Sequence, residues 1–172
     1  PSRFLLAAAM NPCPCGYFGS QDKVCHCSSY QIQKYRRKIS GPLLDRIDIH
    51  IELQGVKTDD LMSQTAVSES SEEIRKRVED ARSIQNDRFS KDKIFFNSQM
   101  SHKQIRKYCI LTEDAKTLLK TAIRELRFSA RSYDKILKVA RTIADLDNAE
   151  TIMPEHISEA VRYRSLDKDL WV

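Results

Sequence analysis

Four of the five cysteines in this chain fall within the stretch "CPCGYFGSQDKVCHC", residues 13 to 27. They form two Cys-x-Cys pairs, Cys13/Cys15 and Cys25/Cys27, with nine residues between them. Four thiolates at that spacing can supply the tetrahedral sulfur shell that zinc prefers. A metal of that kind lowers the pKa of the thiols it binds and so obtains its own ligands. Gly16 and Gly19 permit the tight turns that would bring the second pair back to the first. The spacing differs from the common Cys-x2-Cys knuckle. Two disulfides are the competing reading, and His26 is an alternative ligand to one thiol. Nothing marks the chain as secreted, and cytosolic thiols stay reduced, which favours a structural Zn²⁺ over a disulfide pair. A full four-sulfur shell leaves no open position for a catalytic water. Cys109 stands apart from the group and reads as a core residue.

Three polar residues draw attention beside the cysteines. Asn11 ends an apolar run, where a carboxamide can hold a water or a phosphate oxygen; a plain turn before Pro12 is the alternative. Arg46, in "GPLLDRID", carries a permanent planar charge suited to a phosphate, or to a surface ion pair with Asp45 or Asp48. Arg131, in "FSARSYDKILKVAR", falls near the start of a helix, where a cation opposes the helix dipole. Lys138 and Arg141 further along read as solvated.

The elements that must position these residues are legible from pattern. Phe4 to Met10 is a short continuous apolar run, expected to be a strand buried on both faces. Residues 30–39 read as a basic helix, broken by Gly41-Pro42. Ile47 to Leu53 alternates apolar and polar residues, the mark of a half-buried strand. After a polar stretch the pattern becomes helical. Ser70 with Glu73, and Ser101 with Gln104, form capping boxes. Thr112 caps a helix carrying Ala115, Leu119 and Ile123, and Ser132 precedes one carrying Ile136, Ala140 and Ile143. Pro154 opens the last helix. The expected class is mainly α: a remnant of a parallel α/β core (two strands, one helix and the cysteine loop), then an all-α bundle. The expected boundaries are 1–55 for the core piece with its loop at 12–28, 56–69 for a linker and 70–172 for the bundle.

Composition is consistent with that class. The 172 residues are 41% hydrophobic and 31% charged, which suits a soluble globular chain. No apolar run approaches the roughly 18 residues of a membrane span, and the opening PSRFLLAAAM is not a signal peptide. We therefore expect a cytoplasmic protein with no membrane partner. Position 1 is not Met, so we expect the chain to begin inside a longer protein. The net charge is +5 and the charge is uneven. Residues 30–46 hold five Lys or Arg against one Asp, and residues 124–141 hold six against two acids. Such stretches suit phosphate partners, a nucleotide or DNA, and equally suit a solvated helix face.

Three motifs occur in order along the chain: MNPCPCG, LLDRID and SAR…KVARTIADL. With them the sequence resembles the ComM/YifB-type magnesium-chelatase-like AAA+ ATPases over nearly its whole length. The resemblance implies the end of an AAA+ core followed by a helical lid. It implies that Asn11 is the sensor-1 residue that positions the attacking water. It implies that Arg46 is an arginine finger acting on the neighbouring subunit's ATP, and that Arg131 is the sensor-2 arginine touching the phosphates of its own subunit's ATP. It further implies a hexameric ring, ATP with Mg²⁺ as substrate, and DNA remodelling in recombination and competence. The motif G-x-x-x-x-G-K-[ST] is absent from these residues, so the chain alone is expected to bind ATP weakly and not to hydrolyse it. Two other readings compete: a magnesium chelatase motor subunit acting in porphyrin metallation, which the cysteine pairs argue against, and a non-enzymatic zinc-bearing interaction module.

Overall fold

A computed structural model describes residues 4–20, 22–53, 55 and 69–164. The expected linker lies outside the described residues from 56 to 68, and so does the end of the chain from 165. The described chain is mainly helical: α1 (Ser29–Arg36), α2 (Gly41–Leu44), α3 (Ser71–Arg88), α4 (His102–Tyr108), α5 (Glu113–Leu126), α6 (Ala130–Leu146) and α7 (Pro154–Arg162).

Local chemistry explains most helix ends. The hydroxyls of Ser70 and Ser101 accept from the N–H of Glu73 and Gln104, and those side chains reach back to the serine N–H, completing both boxes. Ser28 and Gln31 do the same for α1. Thr112 caps α5 by accepting from the N–H of Ala115. Arg127 ends α5 in the left-handed conformation, with φ 47°. The cap of α6 is Ser129: its hydroxyl accepts from the Ser132 N–H at 3.1 Å. Gly41-Pro42 opens α2 instead of merely ending α1, because proline fits the first helical turn.

Helix α6 lies at the centre of the core. Ile136, Leu137, Ala140, Ile143 and Ala144 pack with Leu119 of α5, Ile157 and Ala160 of α7, Ile105 of α4, and Phe89 and Met100 from the loops. Small alanines on α6 and α7 let these helices approach closely. Ile152 pairs with Leu111 in a parallel bridge, closing the bundle between α5 and α7. Inside it, Asp145 is fully buried and accepts from Arg88, from Asn97 at 2.7 Å and from Arg141 at 3.0 Å. Arg141 is therefore a core residue and not a solvated one: its guanidinium also donates to the carbonyls of Glu150 and Ala149.

The two expected strands do not form among the described residues. Segments 4–10 and 47–53 carry no ladder partner. A strand needs a neighbour to satisfy its backbone groups, and a pair of segments makes a poor sheet. The run expected to be buried on both faces is exposed: Leu5 retains 94% of its accessible surface. His50 instead donates its backbone N–H to the Tyr163 carbonyl at 2.8 Å, tying its segment to the end of α7.

Candidate metal centre and arginine junction

The cysteine loop folds as its glycines predict. Gly16 and Gly19 both hold positive φ, 83° and 81°, a region that L-residues with a Cβ avoid. The Gly16 N–H donates to the Cys13 carbonyl at 3.0 Å, closing a turn between the first two thiols. The capping box of α1 begins one residue after Cys27, so the helix start anchors the second pair. From the other side, Arg36 of α1 donates to the Pro12 carbonyl at 3.2 Å and lies over the Phe18 ring.

The four sulfurs converge. All lie within 4.8 Å of one another, and the separations Cys13–Cys15, Cys15–Cys25 and Cys13–Cys25 are 3.3, 3.6 and 3.7 Å. Zinc–sulfur bonds of about 2.3 Å put tetrahedral sulfurs about 3.8 Å apart, whereas a disulfide needs about 2.05 Å. The sulfurs sit close to the first value and far from the second, and all are free thiols. His26 is exposed and outside the group. The thiols also share protons unevenly. The Tyr17 backbone N–H pulls Cys15 down to about 6, against desolvation. Cys25 is pushed up to about 12: the Cys27 N–H lowers it, but desolvation and the nearby sulfurs of Cys15 and Cys13 raise it further.

The arginines take different places. Asn11 is exposed beside the loop, over Gly16. Arg46 is exposed, and its guanidinium bends back to the Pro42 carbonyl at 3.1 Å, so it forms neither of the ion pairs considered for it. Arg131, in the first turn of α6, is 58% exposed and donates to Asp45 at 3.0 Å. Asp45 is the junction that sequence reasoning missed. It also accepts from the Ser132 hydroxyl at 3.1 Å and lies 3.5 Å from the buried Arg164 guanidinium. Desolvation raises its carboxyl, but bonds from Arg131 and Ser132 and the charge of Arg164 outweigh that and hold it below its ordinary value. Arg164 donates to the Ile47 carbonyl at 2.6 Å, and Lys135 binds the Arg46 carbonyl and pairs with Asp48 at 2.8 Å. The segment that carries Arg46 is thus bound to the start of α6 and the end of α7. Only the adjacency of Asp45 to Arg46 hinted at this, and it named no distant partner. Lys138, expected in solvent, donates to the Ser98 carbonyl at 2.9 Å, and burial lowers its pKa.

The sequence matches known proteins along nearly its whole length. The family model for the C-terminal region of magnesium chelatase subunit ChlI matches residues 68–164, and that for magnesium chelatase subunit ChlI matches residues 1–61. The chain belongs to this magnesium chelatase family. It is similar to the YifB protein of Escherichia coli, 40% identical over 98% of this chain and 32% of that protein. It is likewise similar to competence protein ComM of Haemophilus influenzae, 38% identical over 96% of this chain and 31% of that protein. The YifB protein of Salmonella typhimurium is 38% identical over 98% of this chain and 32% of its own length. The chain thus spans about a third of the length of these relatives. Among the described residues, no helix is long and apolar enough to cross a membrane.

Proposed function

We propose that this chain is the C-terminal portion of an AAA+ ATPase of the ComM type, a ring-forming motor that remodels DNA in the cytoplasm. In this reading residues 1–55 complete the ATPase core, 56–69 link it to the lid, and 70–172 form the lid. The carrying observation is the Asp45 junction, which bonds the first turn of α6 to the segment holding Arg46. Two exposed arginines lie in the joined segments: Arg46 next in sequence to Asp45, and Arg131, which donates to Asp45. Phosphoryl transfer needs charge neutralised on the γ-phosphate, and an arginine finger is worth about 10³–10⁵ in rate. Arg46 would act on the ATP of a neighbouring subunit and Arg131 on that of its own. Asn11 would orient the attacking water.

Cys13, Cys15, Cys25 and Cys27 would hold one structural Zn²⁺, whose chemistry is to cross-link the loop. Helix α1 would face DNA: Tyr30, Lys34 and the C-capping Arg37 recur at helical spacing along one side, opposite the buried Ile32 and Arg36, which contacts the loop. Arg36 already serves the Pro12 carbonyl, so Arg37 and Lys34 are the better probes of DNA contact. Tyr30 is 71% exposed and offers a stacking surface.

The test is an ATPase assay on the longer protein, with Mg²⁺-ATP. Arg46→Ala should lower turnover by about 10³-fold or more. Mixing it with a variant unable to bind ATP should restore part of the activity, because the finger acts across subunits. Near-normal turnover in the Arg46→Ala protein would refute the motor reading. The 172-residue chain alone should show no turnover above background.

A further inference from the structure

We propose that the metal centre sets the position of Asn11, so that metal occupancy governs the reaction at a distance from the nucleotide. The inference rests on the reading of Asn11 as the residue that orients the attacking water.

The covalent path is short. One residue, Pro12, separates Asn11 from Cys13. Proline locks its own φ and restricts the residue before it to extended conformations. Holding the Cys13 sulfur therefore leaves Asn11 few backbone states. Three further contacts close in on it. The left-handed turn at Gly16 folds the chain back until a Cβ there would lie 3.7 Å from the Asn11 Cγ and Nδ2. The Gly16 N–H is bound to the Cys13 carbonyl. The Arg36 guanidinium holds the Pro12 carbonyl from outside while stacking on Phe18, 5.0 Å from the ring centre. Burial divides Asn11 from Cys13 sharply: Cys13 is fully buried and Asn11 is exposed. Asn11 is the outward tip of a clamped loop, with its carboxamide turned over Gly16. Among the described residues, the hydrophobic cluster draws only on residues from 89 onward and does not include this loop. The clamp is thus sulfur and one guanidinium. Arg36 and Gly16 are positioning residues in this scheme, and the metal never meets the substrate.

The experiment uses the ¹⁵N-labelled 172-residue chain, with zinc content measured by atomic emission. The Asn11 side-chain amide signals are assigned by their loss in Asn11→Asp. A chelator then removes the zinc. The Asn11 signals should move to the positions of a disordered asparagine, while those of Asn97, bound to Thr142 and Asp145 inside the bundle, stay in place. Arg36→Gln should shift the Asn11 signals with zinc retained. In the ATP-hydrolysing longer protein, Gly16→Ala should lower kcat by about tenfold or more with KM and zinc content near normal, since small misplacements of a reacting group are costly. Asn11 signals unmoved by complete zinc removal would overturn the proposal. A chain that takes up no zinc would overturn it together with the zinc assignment. Zinc-coupled Asn11 signals in a protein whose Asn11→Ala variant hydrolyses ATP normally would uphold the coupling and refute the sensor role.

Discussion

Cys15 and Cys109 are the same chemical group in two regions held by different forces. Burial pushes the Cys109 thiol up to about 12, where it packs under α6 as a small apolar side chain. The Tyr17 N–H draws Cys15 down to about 6, beside three other sulfurs. The regions around them differ likewise. From Phe89 to Tyr163, a continuous core runs through four helices, α4 to α7. From 4 to 53, Phe4, Leu5, Val24, Ile51 and Leu53 face outward, and the buried apolar residues are few: Cys13, Ile32 and Leu44. The bundle is stabilised by removing apolar surface from water. The loop has too little such surface and depends on cross-links. The lesson is that one short chain can combine a helical unit with its own apolar core and a segment with little core, held by four converging cysteines and a few bonds to its neighbour.

Metal removal should separate the regions most. Replacing Cys13 and Cys15 by Ser should release the zinc and speed amide exchange across residues 12–28 by more than about tenfold, leaving α5 to α7 protected. Equal loss of protection in both regions would mean that the bundle is not self-sufficient. The next largest effect is expected inside the bundle. Asp145→Ala strands the buried Arg88 and Arg141 charges and should cost about 3–5 kcal/mol in a denaturant titration, without loss of metal. Reactivity sharpens the contrast of thiols. In metal-free native chain, iodoacetamide should modify Cys15 at pH 7 and spare Cys109 until the bundle unfolds.

The junction between the regions titrates. The Asp45 carboxyl is held below its ordinary 3.8, so its bonds stabilise the docked segment fully above that pH, and the contribution is lost as the pH falls through the lower folded value. Exchange of the His50 amide, bonded to Tyr163, should therefore rise below about pH 4 in the natural chain. In Asp45→Asn it should already be raised at neutral pH and be flat with acid. The smallest effect belongs to the surface. The Arg77–Glu69 pair is about half exposed on both sides, and Arg77→Ala should change stability by less than about 1 kcal/mol.

Short-range features were readable from residues alone. The capping boxes at Ser70 and Ser101, the turn glycines and the convergence of two Cys-x-Cys pairs each depend on groups a few residues apart, or on a loop too short to do otherwise. The apolar periodicity of α5 to α7 is of the same kind. The two strands were misread for a related reason. Alternation in Ile47 to Leu53 records which face a segment can bury, but a strand exists only when a partner takes its backbone bonds. Asp45 and Arg131 are 86 residues apart, and Arg88 and Asp145 are 57 apart. Nothing local distinguishes a lysine or arginine that will be buried from one that will be solvated, and so Arg141 was misplaced. Sequence by itself determined most of the helices, their caps and the convergence of four cysteines, because those follow from neighbours along the chain. Tertiary structure alone decided which charges are buried and that the Asp45 carboxylate meets Arg131 and Arg164, because a charge enters the interior only where a distant partner offsets the loss of water.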